Sequence, residues 1–141
     1  MARPETRHLS LRVDAPTVDG LDRLAVQTGL SRNALAARYL AEGIRRQEFP
    51  EITFRDGALG RRAALAGSRL DVWQVVETVR AHASSVDEAA VYLDLPADRV
   101  LAAVRYAAAH RDEIDEITAR EHATADRAED LWRATQEFLA S

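Results

Sequence analysis

The chain has 141 residues, 47% of them hydrophobic and 30% charged, with a net charge of -4; that is enough for one domain or two very small ones, and too apolar for intrinsic disorder. Cysteine is absent, which excludes disulfides, thiolate nucleophiles and cysteine-zinc sites. His8, His82, His110 and His122 are too widely spaced for a helical metal pair, so neither a metal nor another cofactor is expected. No run is long and apolar enough for a bilayer and the amino terminus lacks a signal-like core, so no membrane partner and a cytoplasmic location are expected.

The charge is distributed along a gradient. Residues 1–47 carry 8 arginines against 5 acids, residues 48–110 carry 7 against 9, and residues 111–141 carry 4 against 9. The amino end suits a polyanion and the carboxyl end a basic partner. All 19 basic residues are arginine and 27 of the 141 are alanine, a bias that GC-rich codons explain as simply as a demand for guanidinium groups.

In chain order, Arg7-His8-Leu9-Ser10-Leu11-Arg12-Val13 alternates with period two and predicts a short strand, with Leu9, Leu11 and Val13 on one side and His8, Ser10 and Arg12 on the other. Asp14 predicts a helix cap, Pro16 fits a first turn, and Val18, Leu21, Leu24 and Ala25 recur at helical spacing up to Gly29. Ser31 opens a second helix with Ala34, Leu35, Leu40, Ala41 and Ile44 as its apolar positions. Gln47 to Glu51, around Pro50, reads as a linker. Ile52-Thr53-Phe54 and Ala63-Ala64-Leu65 predict two short strands about Asp56-Gly57 and Gly60. Asp71 caps a helix with Val72, Val75, Val76 and Val79 on one face; Ser85 to Glu88 fits a capping box before Ala89, Ala90 and Leu93. Pro96 begins a third helix carrying Val100, Leu101, Val104 and Ala108. No glycine or proline follows Pro96, and a break is expected near residues 118–124.

A lone seven-residue strand cannot satisfy its own backbone, and no second strand lies nearby in this segment. Two copies pairing antiparallel about a two-fold axis make a ribbon narrow enough for a major groove, presenting His8, Ser10 and Arg12 to base edges and phosphates. Ser31, Arg32 and Asn33 then offer a helix amino terminus to phosphate. As an edge strand of a mixed fold the same polar face would only be solvated. The positive charge of the segment and its missing partner strand favour DNA.

Residues 7–46, with the alternating Leu9 to Val13, Gly29 closing the first helix and Ser31 opening the second, resemble the ribbon-helix-helix family of bacterial repressors and antitoxins. The resemblance implies a homodimer that binds double-stranded operator DNA through His8, Ser10 and Arg12. The Asp14-Ala15-Pro16-Thr17-Val18 start departs from the family pattern and suggests a late first helix.

Residues 50–116, including Gly67-Ser68-Arg69-Leu70-Asp71-Val72-Trp73, Tyr92 to Pro96 and Val104 to Ala107, resemble a small family of antitoxin-associated domains of unknown function. That family combines a hairpin with three helices of helix-turn-helix type. Ser68 and Asp71 stand where it has threonine and proline. Trp73 and Tyr106 read as core aromatics, Arg69 as a fork holding the hairpin to the helices, and Arg61 and Arg62 as further candidates for DNA. The balance of acids over arginines in residues 48–110 favours an interaction module over a second DNA reader.

In the acidic carboxyl segment, Ile114, Ile117, Ala128, Leu131, Thr135 and Phe138 trace a helical stripe widened by Trp132 and Leu139. Ile114, Ile117, Leu131, Trp132 and Phe138 are the candidate contacts to a basic protein partner. The expected fold is therefore mainly α: a ribbon-helix-helix dimerisation unit at residues 1–47, a hairpin plus three-helix domain at 48–117, and an amphipathic helical tail at 118–141. No serine-histidine-acid pattern, phosphate loop or nucleotide fingerprint occurs, and no enzyme is expected. The resemblances imply a VapB-like type II antitoxin that represses its own operon and neutralises a toxin, a PIN-type ribonuclease. The alternative is a stand-alone dimeric ribbon-helix-helix regulator.

Overall fold

The computed structural model describes residues 4–141. Among them are six helices and one two-stranded antiparallel sheet, so the chain is mainly helical. It divides into two compact units, residues 1–43 and 44–141. The boundary lies inside the second helix, a few residues before the linker the sequence suggests.

In the first unit, residues 4–14 precede α1 (Ala15–Thr28), which a short turn separates from α2 (Arg32–Glu48). Asp14 begins α1 because its Oδ1 accepts the Thr17 N–H at 2.9 Å, and the same bonds hold its carboxyl below the usual range. Gly29 ends the helix in the left-handed region, φ 72°, returning its N–H to the Ala25 carbonyl. Ser31 Oγ accepts the Ala34 N–H at 3.1 Å and opens α2. These three caps are local chemistry, and all fall where the sequence predicts. The first helix starts directly after Asp14, not late.

The second unit contains β1 (Ile52–Gly57), β2 (Gly60–Leu65), α3 (Val72–Ala81), α4 (Val86–Leu93), α5 (Ala97–Ala109) and α6 (Arg111–Ala140). Its strands pair from Ile52 opposite Leu65 to Gly57 opposite Gly60. Gly60 takes φ 111°, open to glycine but not to a side chain. Val72, Val75, Val76 and Val79 form the buried face of α3, and Ile52, Ala63, Leu65, Ala89, Ala90, Val100, Ala103, Tyr106 and Ile114 complete the core. Each large aliphatic side chain buried there contributes about 1.5–3 kcal/mol. On α5 the inward residues are Val100, Ala103 and Tyr106, while Ala108, expected inside, is exposed.

Two expectations for the second unit are corrected. The chain breaks at His110, φ -128°, and then runs as one 30-residue helix with no interruption at 118–124. Charged side chains one turn apart, Arg120 with Glu116 and Arg133 with Glu129, suit an unbroken helix through this polar stretch. Arg69 is exposed. The hairpin is tied down instead by Arg55 and Arg62, whose guanidinium groups converge on the buried Asp71.

Candidate functional site

The sequence predicts a strand at residues 7–13, but the structure assigns neither strand nor helix to them, because in one chain they have no strand to pair with among the described residues. Among the described residues, no backbone hydrogen bond joins residues 7–13 to another part of the chain. Leu9, Leu11 and Val13 are 68%, 55% and 41% exposed, and His8, Ser10 and Arg12 are exposed as well. An alternating apolar row open to water is unfavourable unless something covers it.

The helices behind it present the same imbalance. α1 buries no residue and α2 buries only Leu35. Ala37, Leu40, Ala41 and Ile44, at positions i, i+3, i+4 and i+7 of α2, form an exposed stripe distinct from the face of Leu35. The sequence points to Leu40, Ala41 and Ile44 as apolar contacts, but all three stay exposed in the single chain.

The three candidates at the start of α2 divide. Ser31 spends its hydroxyl on the helix cap. Arg32 forms a two-pronged pair with Asp22, Nε to Oδ1 and Nη2 to Oδ2, both 2.7 Å, so its guanidinium is engaged within the chain. The pairing lowers the Asp22 pKa and raises that of Arg32. Asn33 is exposed. Arg12 therefore has the freer guanidinium. Arg62, a further candidate for DNA from sequence, is buried on Asp71 and Glu121 and presents nothing to a ligand at the surface. Arg61 lies at 3.4 Å from Asp56.

The charge network at the hairpin was not legible in sequence because its members are far apart in the chain. Asp71 accepts from Arg55 Nε at 2.9 Å, Arg62 Nη1 at 3.1 Å and Trp73 Nε1 at 3.2 Å. Arg62 Nη1 also reaches Glu121 at 2.5 Å, fastening α6 to β2. Burial opposes the Arg62 charge, but its bonds to Glu121 and Asp71 outweigh that and hold it more firmly protonated than usual. A second knot ties the end of α2 to α5 and α6: the Tyr106 hydroxyl donates to Glu113 Oε2 at 2.9 Å and accepts from Arg45 Nη1 at 3.0 Å.

These knots define where α6 stops belonging to the core. Ile114 and Ile117, expected to face a partner, are 3% and 8% exposed and pack inside the second unit, so they are withdrawn from the candidate partner surface. A helical stripe in sequence cannot distinguish a chain's own core from a partner's groove. The last ties to the rest of the unit are Glu121 to Arg62 and His122 to Glu77. From residue 125 onward every residue is exposed and the side-chain hydrogen bonds stay within the helix. Leu131, Trp132, Phe138 and Leu139 share one face of this arm, together with Ala128 and Thr135. Residues 123–140 make it about 27 Å long at the helical rise.

No family model, curated protein or solved structure matches the chain. Among the described residues no cluster of acids and histidines suited to a metal is found, and no helix is long and apolar enough to cross a membrane.

Proposed function

We propose that this chain is a dimeric DNA-binding autorepressor of the ribbon-helix-helix kind and the antitoxin of a type II toxin-antitoxin pair, neutralising a basic, PIN-type ribonuclease. The observation that carries the reading is the exposed, alternating segment at residues 7–13, without a strand partner among the described residues, followed by two helices that bury only Leu35. A second copy supplies everything that is missing. Antiparallel pairing of the two strands satisfies their backbones, and Leu9, Leu11 and Val13, with the Ala37-Leu40-Ala41-Ile44 stripe, become a shared core. The polar side of the ribbon then presents His8, Ser10 and Arg12 twice over, a guanidinium for guanine or phosphate beside small groups that allow close approach.

The antitoxin half of the reading rests on the arm. Its exposed Leu131, Trp132, Phe138 and Leu139, among the acids Asp126, Glu129, Asp130 and Glu137, suit an apolar groove rimmed by basic residues, as an RNA-binding enzyme would offer.

The test is binding to the DNA upstream of the protein's own coding region, by fluorescence anisotropy across a salt series. Arg12→Ala should weaken binding at least tenfold while leaving the dimer intact in sedimentation. An unchanged affinity at moderate salt overturns the DNA assignment. Trp132→Ala with Phe138→Ala should leave DNA binding intact and abolish neutralisation of the ribonuclease encoded by the adjoining reading frame. Full neutralisation by that variant refutes the role of the arm.

A further inference from the structure

The arm is not the only unpartnered apolar surface of the second unit. On α4, Val91 and Tyr92 are 84% and 71% exposed, although the opposite face of that helix buries Ala89 and Ala90. The Tyr92 ring is held against His82, centroids 4.9 Å apart, so it is a positioned side chain. Beside Val91 a groove opens between the end of α4 and the start of α5, floored by Ala90, Val91, Leu95 and Pro96, with Asp87 and Asp94 at its rim. Glu88 and Asp98, in the first turns of the same two helices, add to the charge. Among the described residues none of these four acids makes an ion pair. The neighbouring Arg99 turns away and donates to the Ala66 carbonyl.

An apolar floor with an uncompensated negative rim selects its occupant by charge. DNA is repelled. A second copy of the chain meeting the groove about a two-fold axis would set four acids against the same four, the worst arrangement available. An apolar side chain flanked by arginine or lysine answers both features.

We propose that the α4–α5 groove is a second docking surface for a basic protein partner, taking an apolar residue into the floor while basic neighbours meet Asp87 and Asp94. It rests on the reading of the partner as a basic ribonuclease: the antitoxin grips one enzyme at two places, the α6 arm and this groove. Two separate sites on one body raise affinity by mass action, so each tolerates damage to the other better than a single site would.

The experiment uses the full chain and an inactivated form of the ribonuclease encoded by the adjoining reading frame, with titration calorimetry at two salt concentrations. Val91→Ser with Tyr92→Ala should weaken binding about tenfold or more with only a small fall in Tm, from the lost Tyr92–His82 contact, since both side chains are otherwise at the surface. Asp87→Asn with Asp94→Asn should weaken it less and flatten its salt dependence; asparagine suits the left-handed conformation at position 94, φ 54°. Wild-type affinity in the Val91→Ser, Tyr92→Ala chain overturns the proposal. So does a changed sedimentation of that chain alone, which would mean that a second copy covers the groove. If Trp132→Ala with Phe138→Ala abolishes binding while the groove variants bind normally, the arm reading stands and the groove proposal fails. If the wild-type chain does not bind the enzyme, both fall together.

Discussion

Replacing Asp71 with alanine removes the one acceptor shared by Arg55, Arg62 and Trp73. The three donors are not equally stranded. Arg55 is 35% exposed and keeps the carbonyls of Ser68 and Arg69, so water and backbone take over its lost bonds. Arg62 is only 9% exposed and retains Glu121 and a long bond, 3.4 Å, from its Nε to the Gly60 carbonyl. Stranding a member of a buried ion cluster costs about 3–5 kcal/mol. With Arg55 rehydrated and Arg62 half-compensated, the lower end applies, about 3 kcal/mol. In a unit of roughly 100 residues that lowers Tm by about 12–24 °C. The assay is urea unfolding followed by Trp73 fluorescence in a Trp132→Phe background, with Arg62→Met and the double variant completing a cycle. The cycle should return a coupling of about 1–2 kcal/mol between positions 62 and 71. A loss below about 1 kcal/mol for Asp71→Ala would refute the view that this network fastens the hairpin to the helices.

Three further outcomes follow from the same geometry. Burial and the Glu113 charge push the Tyr106 phenol far above its ordinary value of 10.0, against the smaller opposing pull of Arg45. The neutral phenol is thus favoured by folding: its stabilisation is complete below pH 10 and declines as pH rises beyond it. Tyr106→Phe should remove that alkaline decline in urea-derived stability while costing about 1 kcal/mol at neutral pH. Burial, then the charge of Arg45, holds His110 below its ordinary 6.5. Stability linked to it is present above that value and is lost as pH falls beneath it, so His110→Gln should flatten the acid limb between about pH 7 and pH 5. Ala83 lies in the left-handed region, φ 54°, where its Cβ is strained. Ala83→Gly should stabilise the chain by about 0.5–1 kcal/mol in the same titrations, and a destabilised variant would contradict the strain.

How much of this was legible in the sequence depended on the range of the interactions involved. Asp14, Gly29, Ser31 and Ser85 announce helix ends because a cap bonds to an amide or carbonyl a few residues away, and those ends fall as predicted. The valine face of α3 is equally plain, because one helix face meets one core. Long-range contacts were hidden. Arg62 finds Glu121 across 59 positions, and nothing around either residue marks the pair, so local spacing points to Arg69 as the anchor of the hairpin instead. Ile114 and Ile117 continue the spacing of Leu131 and Phe138 and form one stripe with them in sequence; only packing separates the two that fill the core from those left in the arm. At the amino end, period-two alternation predicts a strand at residues 7–13, and the single chain forms none there; a strand needs a partner, and a partner from another chain leaves no mark in local spacing.

The two-chain ribbon can be measured directly. Since the chain has no cysteine, Arg7→Cys at the end of the paired stretch accepts a single nitroxide label, and pulsed dipolar spectroscopy then reads only distances between copies. A seven-residue strand spans about 23 Å, so equivalent positions on two antiparallel strands paired over residues 7–13 are separated by no more than about that length. A well-defined distance of about 25 Å or less, abolished by dilution with unlabelled protein, is the predicted result. A dimer whose labels lie well beyond that range, or a chain that remains monomeric at micromolar concentration, would contradict it.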